Sequence, residues 1–207
     1  RCLGRGRKKK CVKNCYQTKM IYYLVKNKII YCLLFLIIFL IQGCKNDDKS
    51  MNKIQSMETV KYVDLDRFMG DWYVIANIPT FIEKEAVNAI ESYKLNDKGQ
   101  IETTFTFREK NPNGKRKVYK PKGFIWNRET NAEWRMQFIW PFKAPFLIID
   151  LPEDYSYTVI GYPNRKYVWI MAREPVIPPE IYNGILINLE NIGYDTTQIK
   201  FVPQIWD

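Results

Sequence analysis

Between residues 133 and 140, large apolar side chains fall on every second position. Trp134, Met136, Phe138 and Trp140 alternate with Glu133, Arg135, Gln137 and Ile139. A period of two is that of a strand with one dry face and one wet face. Residues 100–108 repeat it, with Ile101, Thr103, Phe105 and Phe107 against Glu102, Thr104, Thr106 and Arg108. Further short runs at 71–77, 86–95, 118–126, 146–151, 155–161 and 166–173 complete eight predicted strands. Turn signals separate them, among them Asn96-Asp97-Lys98-Gly99, Asn111-Pro112-Asn113-Gly114 and Tyr162-Pro163-Asn164. Many short strands punctuated this way read as an all-β barrel or sandwich. The inward face of 118–126 stays unassigned, because Lys120, Pro121 and Lys122 interrupt its alternation.

One helix follows the strands. Pro178, Pro179 and Glu180 suit a first helical turn. Ile181, Ile185, Leu186, Leu189 and Ile192 then recur at helical spacing before Gly193, a C-cap residue. A final short strand is predicted at 198–202. Eight strands in a meander close best as an antiparallel up-and-down β-barrel, which has no open edge and encloses room for one small ligand.

The formal charge of +10 would direct attention to nucleic acid, but it is not spread along the chain. Ten of the 32 basic residues and none of the 22 acidic ones precede Cys44, so the rest is formally neutral. The excess belongs to a leader, and a nucleic-acid partner is not expected. Residues 20–43 have the parts of an export signal: Lys26 and Lys28, then an uncharged apolar run from Ile29 to Ile41. As a helix that run is only ~20 Å long, short of a ~30 Å hydrocarbon core. Residues 1–19 fit no such signal and are expected to lie outside the translated product, with Met20 as the start. All five cysteines lie at or before Cys44, so a mature domain would hold no disulfide. Residues 44–57 are polar and charged and read as a tether, leaving 58–207 as the barrel domain.

Three short motifs give the outline a family. Gly70-Asp71-Trp72 opens the first strand, Glu153-Asp154-Tyr155 precedes the seventh, and Arg173 ends the eighth. In this order they resemble the signatures of the lipocalins, with Glu153 where the second signature carries Thr. Thr130-Asn131-Ala132, Trp140-Pro141-Phe142 and Tyr167-Val168-Trp169-Ile170 are similar to the bacterial outer-membrane branch. Leu40-Ile41-Gln42-Gly43-Cys44 likewise resembles a lipobox, which implies cleavage before Cys44 and acylation of that residue. The resemblance implies an eight-stranded barrel in which Arg173 packs across Trp72. It also implies a cavity that takes a fatty acid or lysophospholipid, in a protein tethered to the cell envelope, at the outer membrane of a Gram-negative cell.

Strand parity adds candidate lining residues. Val74 and Ala76 share the parity of Trp72, while Phe105, Phe107, Trp134, Met136 and Phe138 occupy the apolar faces; Tyr157 and Trp169 are candidates for the mouth or wall. The same aromatic stripes would equally fill a solid core. A role as an interaction protein then remains, with Lys115, Arg116, Lys117, Lys120 and Lys122 as a patch for anionic headgroups. Monomer and homodimer are both open. No cofactor or metal is expected. The chain has no His, and its Cys residues precede the barrel, which removes the Ser–His and Cys–His routes and the usual zinc ligand sets. An enzyme is therefore not expected, a lipid isomerase-type lipocalin being the alternative.

Overall fold

The computed structural model describes residues 56–206. The lipobox, its Cys44 and the leader lie outside the described residues. Ten strands are present: β1 (Gly70–Ile78), β2 (Ala86–Leu95), β3 (Gln100–Glu109), β4 (Arg116–Tyr119), β5 (Lys122–Ile125), β6 (Glu133–Ile139), β7 (Phe142–Asp150), β8 (Tyr157–Gly161), β9 (Val168–Ala172) and β10 (Lys200–Phe201). Helix α1 (Leu65–Phe68) precedes them, and α2 (Pro179–Asn191) follows β9. Each strand pairs antiparallel with the next around the sheet, and β1 pairs with β9 to close it. β4 and β5 both pair with β3, so they are two halves of one barrel position. The barrel is thus eight-stranded, and β10 adds a short strand outside the closure, beside β1.

The single predicted strand 118–126 is broken at Lys120-Pro121, since proline carries no ladder donor. Its inward positions are Tyr119, Pro121, Gly123 and Ile125, while Lys120 and Lys122 face solvent. A Cβ on Gly123 would lie 2.9 Å from Ile101 Cβ and 3.0 Å from Met136 Sδ, so the strands approach too closely there for any side chain. The alternation exists, but Pro and Gly occupy its apolar half.

The lower end is closed by short-range chemistry. Asp64 caps α1 by accepting from the amides of Asp66 and Arg67, and α1 sets Phe68 into the barrel. Phe68, Trp72, Tyr93, Trp134 and Phe146 then pack ring against ring at centroid distances of 5.0–6.1 Å. The Trp72 indole donates to Phe68 O at 2.9 Å and that of Trp134 to Asn131 O at 2.7 Å, so both polar edges are satisfied.

Two irregularities near the upper end shape the wall. In β1 the pairing with β9 slips between Val74 and Ala76. In β2 the pairing with β3 slips between Val87 and Ile90, where Asn88 has φ 53°. An extra residue in a strand flips the faces beyond it. Ala76 therefore faces outward, against α2 through Ile185 and Leu189, and does not line the interior as strand parity implied. Asn77 takes the position opposite Trp169 instead. The carbonyls released by these slips are taken up by the C-terminal segment: Gln204 donates to Val74 O and Ala89 O, and Val202 N to Ile75 O.

Candidate functional site

The signature residues assemble as one clasp at the closed end. Arg173 lies over the Trp72 ring at 3.7 Å. It donates through Nη1 to Asp71 O and through Nη2 to Arg67 O, Phe68 O and Met69 O, at 2.7–3.1 Å. Gly70 has φ +96°, and a Cβ there would sit 3.4 Å from Arg173 Nη1. That geometry gives Gly a reason at this position. Tyr155, itself at φ 59°, accepts from Asp64 N and carries Arg67 over its ring at 4.1 Å. Asp154 Oδ1 accepts from Ser156 N, which holds its carboxyl below the usual carboxylate range.

Above this floor the barrel is hollow. A cavity of about 310 Å³ is lined by Phe105, Met136, Phe138, Phe146 and Trp169 from the strands and by the 80–83 loop. That volume is at the lower end of the ~300–1,000 Å³ of ordinary ligand sites and suits one chain rather than two. Of the residues selected from strand parity, Phe105, Met136, Phe138 and Trp169 border the cavity. Trp134 belongs to the aromatic floor, and Val74 to the core beside it. Phe107 packs into the wall, its ring 6.1 Å from Tyr119 and nearly parallel to it. Tyr157 faces outward, toward the α2 side, where its hydroxyl donates to Asp150 and burial pushes its pKa up to about 12. It does not sit at the mouth.

Exposed apolar side chains stand at this end of the barrel, on the 80–83 loop and at the β6–β7 turn with its flanking strand ends. Phe81 is 80% exposed, Ile139 67%, Trp140 83% and Phe142 75%. The basic hairpin lies at the same end, with Lys115, Arg116 and Lys120 exposed and Lys117 paired to Glu109 at 3.1 Å.

Two lining residues escaped the sequence reading. Glu91 and Glu83 are both buried and both border the cavity. Glu83 accepts from Thr80 N, Thr80 Oγ1 and Trp169 Nε1. Glu91 accepts the Tyr93 hydroxyl, and burial, with the nearby charge of Glu83, pushes its pKa up to about 7. Burial and the Glu91 charge together raise that of Tyr93 well above the normal phenol. Across the strand from Tyr93, Thr103 Oγ1 is buried without a hydrogen-bond partner among the described residues. Parity could have found Glu91, since it shares a face with Tyr93 and Leu95.

Comparison with known proteins agrees with this geometry. A family model described as a lipocalin-like domain matches residues 63–204. Temperature-induced lipocalin-1 of Arabidopsis thaliana is 29% identical over 74% of this chain and 86% of its own. The outer membrane lipoprotein Blc of Vibrio cholerae is 24% identical over 80% of this chain and 93% of its own; that of Escherichia coli is 25% identical over 80% and 91%. Among solved structures, insecticyanin from the tobacco hornworm superposes with a TM-score of 0.58 at 18% identity, over 73% of this chain and 85% of the other. The closed barrel, the Trp72–Arg173 clasp and the match across residues 63–204 place this chain in the lipocalin-like family, as a small-hydrophobic-ligand-binding protein similar to Blc.

Proposed function

We propose that this protein holds one single-chain lipid, a fatty acid or lysophospholipid, inside its barrel and exchanges it with a membrane of the cell envelope. The observation that carries this reading is the apolar cavity of about 310 Å³ opening through an exposed apolar rim. Each methylene taken from water contributes ~0.8 kcal/mol, so an acyl chain of ordinary length offsets the cost of immobilising it. A lipidated Cys44 would hold the barrel at the surface from which it draws lipid, through the polar tether 44–57, after removal of the signal 20–43. In a Gram-negative cell Lys45 is compatible with transfer of such a lipoprotein to the outer membrane. The similarity to the Blc outer membrane lipoproteins supports that location. The role is one of binding and not of turnover, and the barrel works as a monomer or as a homodimer with the same cavity.

Native mass spectrometry of the purified protein, with extraction of bound lipid, tests the reading. One fatty acid or lysophospholipid per barrel is the expected result. Ala144 borders the cavity, opposite Met136. Ala144→Trp is therefore expected to fill the space and abolish uptake while leaving the fold intact. A wild-type barrel that stays empty and rejects added lipid would overturn the proposal.

A further inference from the structure

The charged groups of the cavity are of one sign. Among the residues lining it are two carboxylates, Glu83 and Glu91, and no Lys or Arg; the chain has no His at all. Neither carboxylate belongs to an ion pair among the described residues. Glu83 is fixed as an acceptor by three donors from Thr80 and Trp169. Glu91, deeper in, has Tyr93 as its one hydrogen-bond partner among the described residues, and it borders the empty space. Phe105, across the strand from Glu91, and Trp169, bonded to Glu83, bring aromatic faces to the same space. Carboxylates beside aromatic faces form a receptor for a cation.

We propose that Glu91 and Glu83 make this cavity selective for a single-chain amphiphile with an ammonium head group, against a fatty-acid carboxylate of the same length. The inference rests on the cavity being a lipid site and narrows what it takes. A carboxylate carried into this space would meet two acids and no counter-charge, and burying an unpaired anion is strongly unfavourable. An ammonium would ion-pair with the buried acid while the alkyl chain covers Met136 and Phe146. The ammonium could belong to a long-chain amine or to the ethanolamine of a lysophospholipid; the amine brings the cation alone, while the lysophospholipid brings it beside a phosphate anion that the same carboxylates oppose.

The test uses the full chain and four probes with one chain length: dodecylamine, lauroyl lysophosphatidylethanolamine, monolaurin and laurate. Binding is followed by tryptophan fluorescence and calorimetry. At about pH 8, dodecylamine is expected to bind at least about tenfold more tightly than laurate, with neutral monolaurin and zwitterionic lysophosphatidylethanolamine between them. Glu91→Gln is expected to bring dodecylamine and laurate to within about threefold of each other, and Glu83→Gln to narrow the gap in the same direction. In the wild type, raising the pH through about 7 strengthens dodecylamine and weakens laurate, because Glu91 gains its charge there; Glu83 and Tyr93 are the titratable groups facing it. Tighter dodecylamine identifies a free amine as the better ligand, and tighter lysophosphatidylethanolamine a lysolipid; either supports the proposal. Laurate equal to the ammonium probes while monolaurin binds overturns this inference and leaves the lipid site standing. Failure of all four probes overturns both. If Glu91→Gln does not fold, Glu83→Gln and the wild-type pH series carry the comparison.

Discussion

Arg173 holds four backbone carbonyls and one indole face with a single guanidinium, so its removal takes a partner from all five, although Phe68 O keeps the Trp72 indole. Arg173→Met keeps the length of the side chain and is expected to cost about 2–4 kcal/mol, seen as a lower urea midpoint. An unchanged midpoint would show that water replaces the guanidinium at no cost. Glu91 acts in the opposite sense. Its pKa rises from 4.5 to about 7 on folding, so the folded protein binds more protons than the unfolded chain between those values. Its contribution to stability is therefore fully present below about 4.5 and is lost as the pH climbs through about 7, a swing on the order of 3 kcal/mol. Urea titrations across that range should show the decline in wild type and a flatter profile in Glu91→Gln. Parallel profiles would show that the carboxyl keeps its normal pKa. The sequence reading passed over this residue because its charge suggests an outward position, while the strand's own parity turns it inward.

At the scale of elements, strand identity follows from period, and period survives in β3 and β6 because Ile101, Phe105, Phe107, Trp134 and Met136 mark most of the inward positions. It fades where the inward residues are small: Pro121 and Gly123 interrupt the apolar signal between Tyr119 and Ile125, although the faces alternate correctly. A bulge is harder still to read. Nothing in Val74-Ile75-Ala76 announces the extra residue, whose consequence is that Ala76 packs outside the barrel with Ile185 and Leu189 of α2. Helix α1 is too short to show a period at all. Gln204, far along the chain, completes the bulged region by bonding to Val74 O and Ala89 O at 2.8 and 3.2 Å. Gln204→Ala is expected to lower stability by about 1–2 kcal/mol and to open the C-terminal segment to proteolysis ahead of the barrel. Loss of the barrel and the tail together would show that they unfold as one unit.

For the whole molecule, the proposed lipid exchange would let the rim set how fast a lipid moves while the cavity sets how tightly it is held. Trp140 is the most exposed rim aromatic and does not border the cavity. Trp140→Ser is expected to slow lipid transfer to vesicles containing anionic lipid by about fivefold or more, with affinity in free solution unchanged. An equal loss in both measurements would assign Trp140 to the cavity and not to the membrane. The closed sheet itself is unevenly braced. Helix α2 covers the β1, β8 and β9 side, and the C-terminal segment buttresses β1 and β2. Opposite them, β4 pairs with β3 alone among the described residues, and proline interrupts the strand it shares with β5. A hoop supported on one side yields on the other. Amide exchange is therefore expected to be fastest along Arg116–Tyr119 and slowest in β1 and β9, so that the wall of the barrel opens first at that flap; equal rates around the sheet would show the bracing to be even.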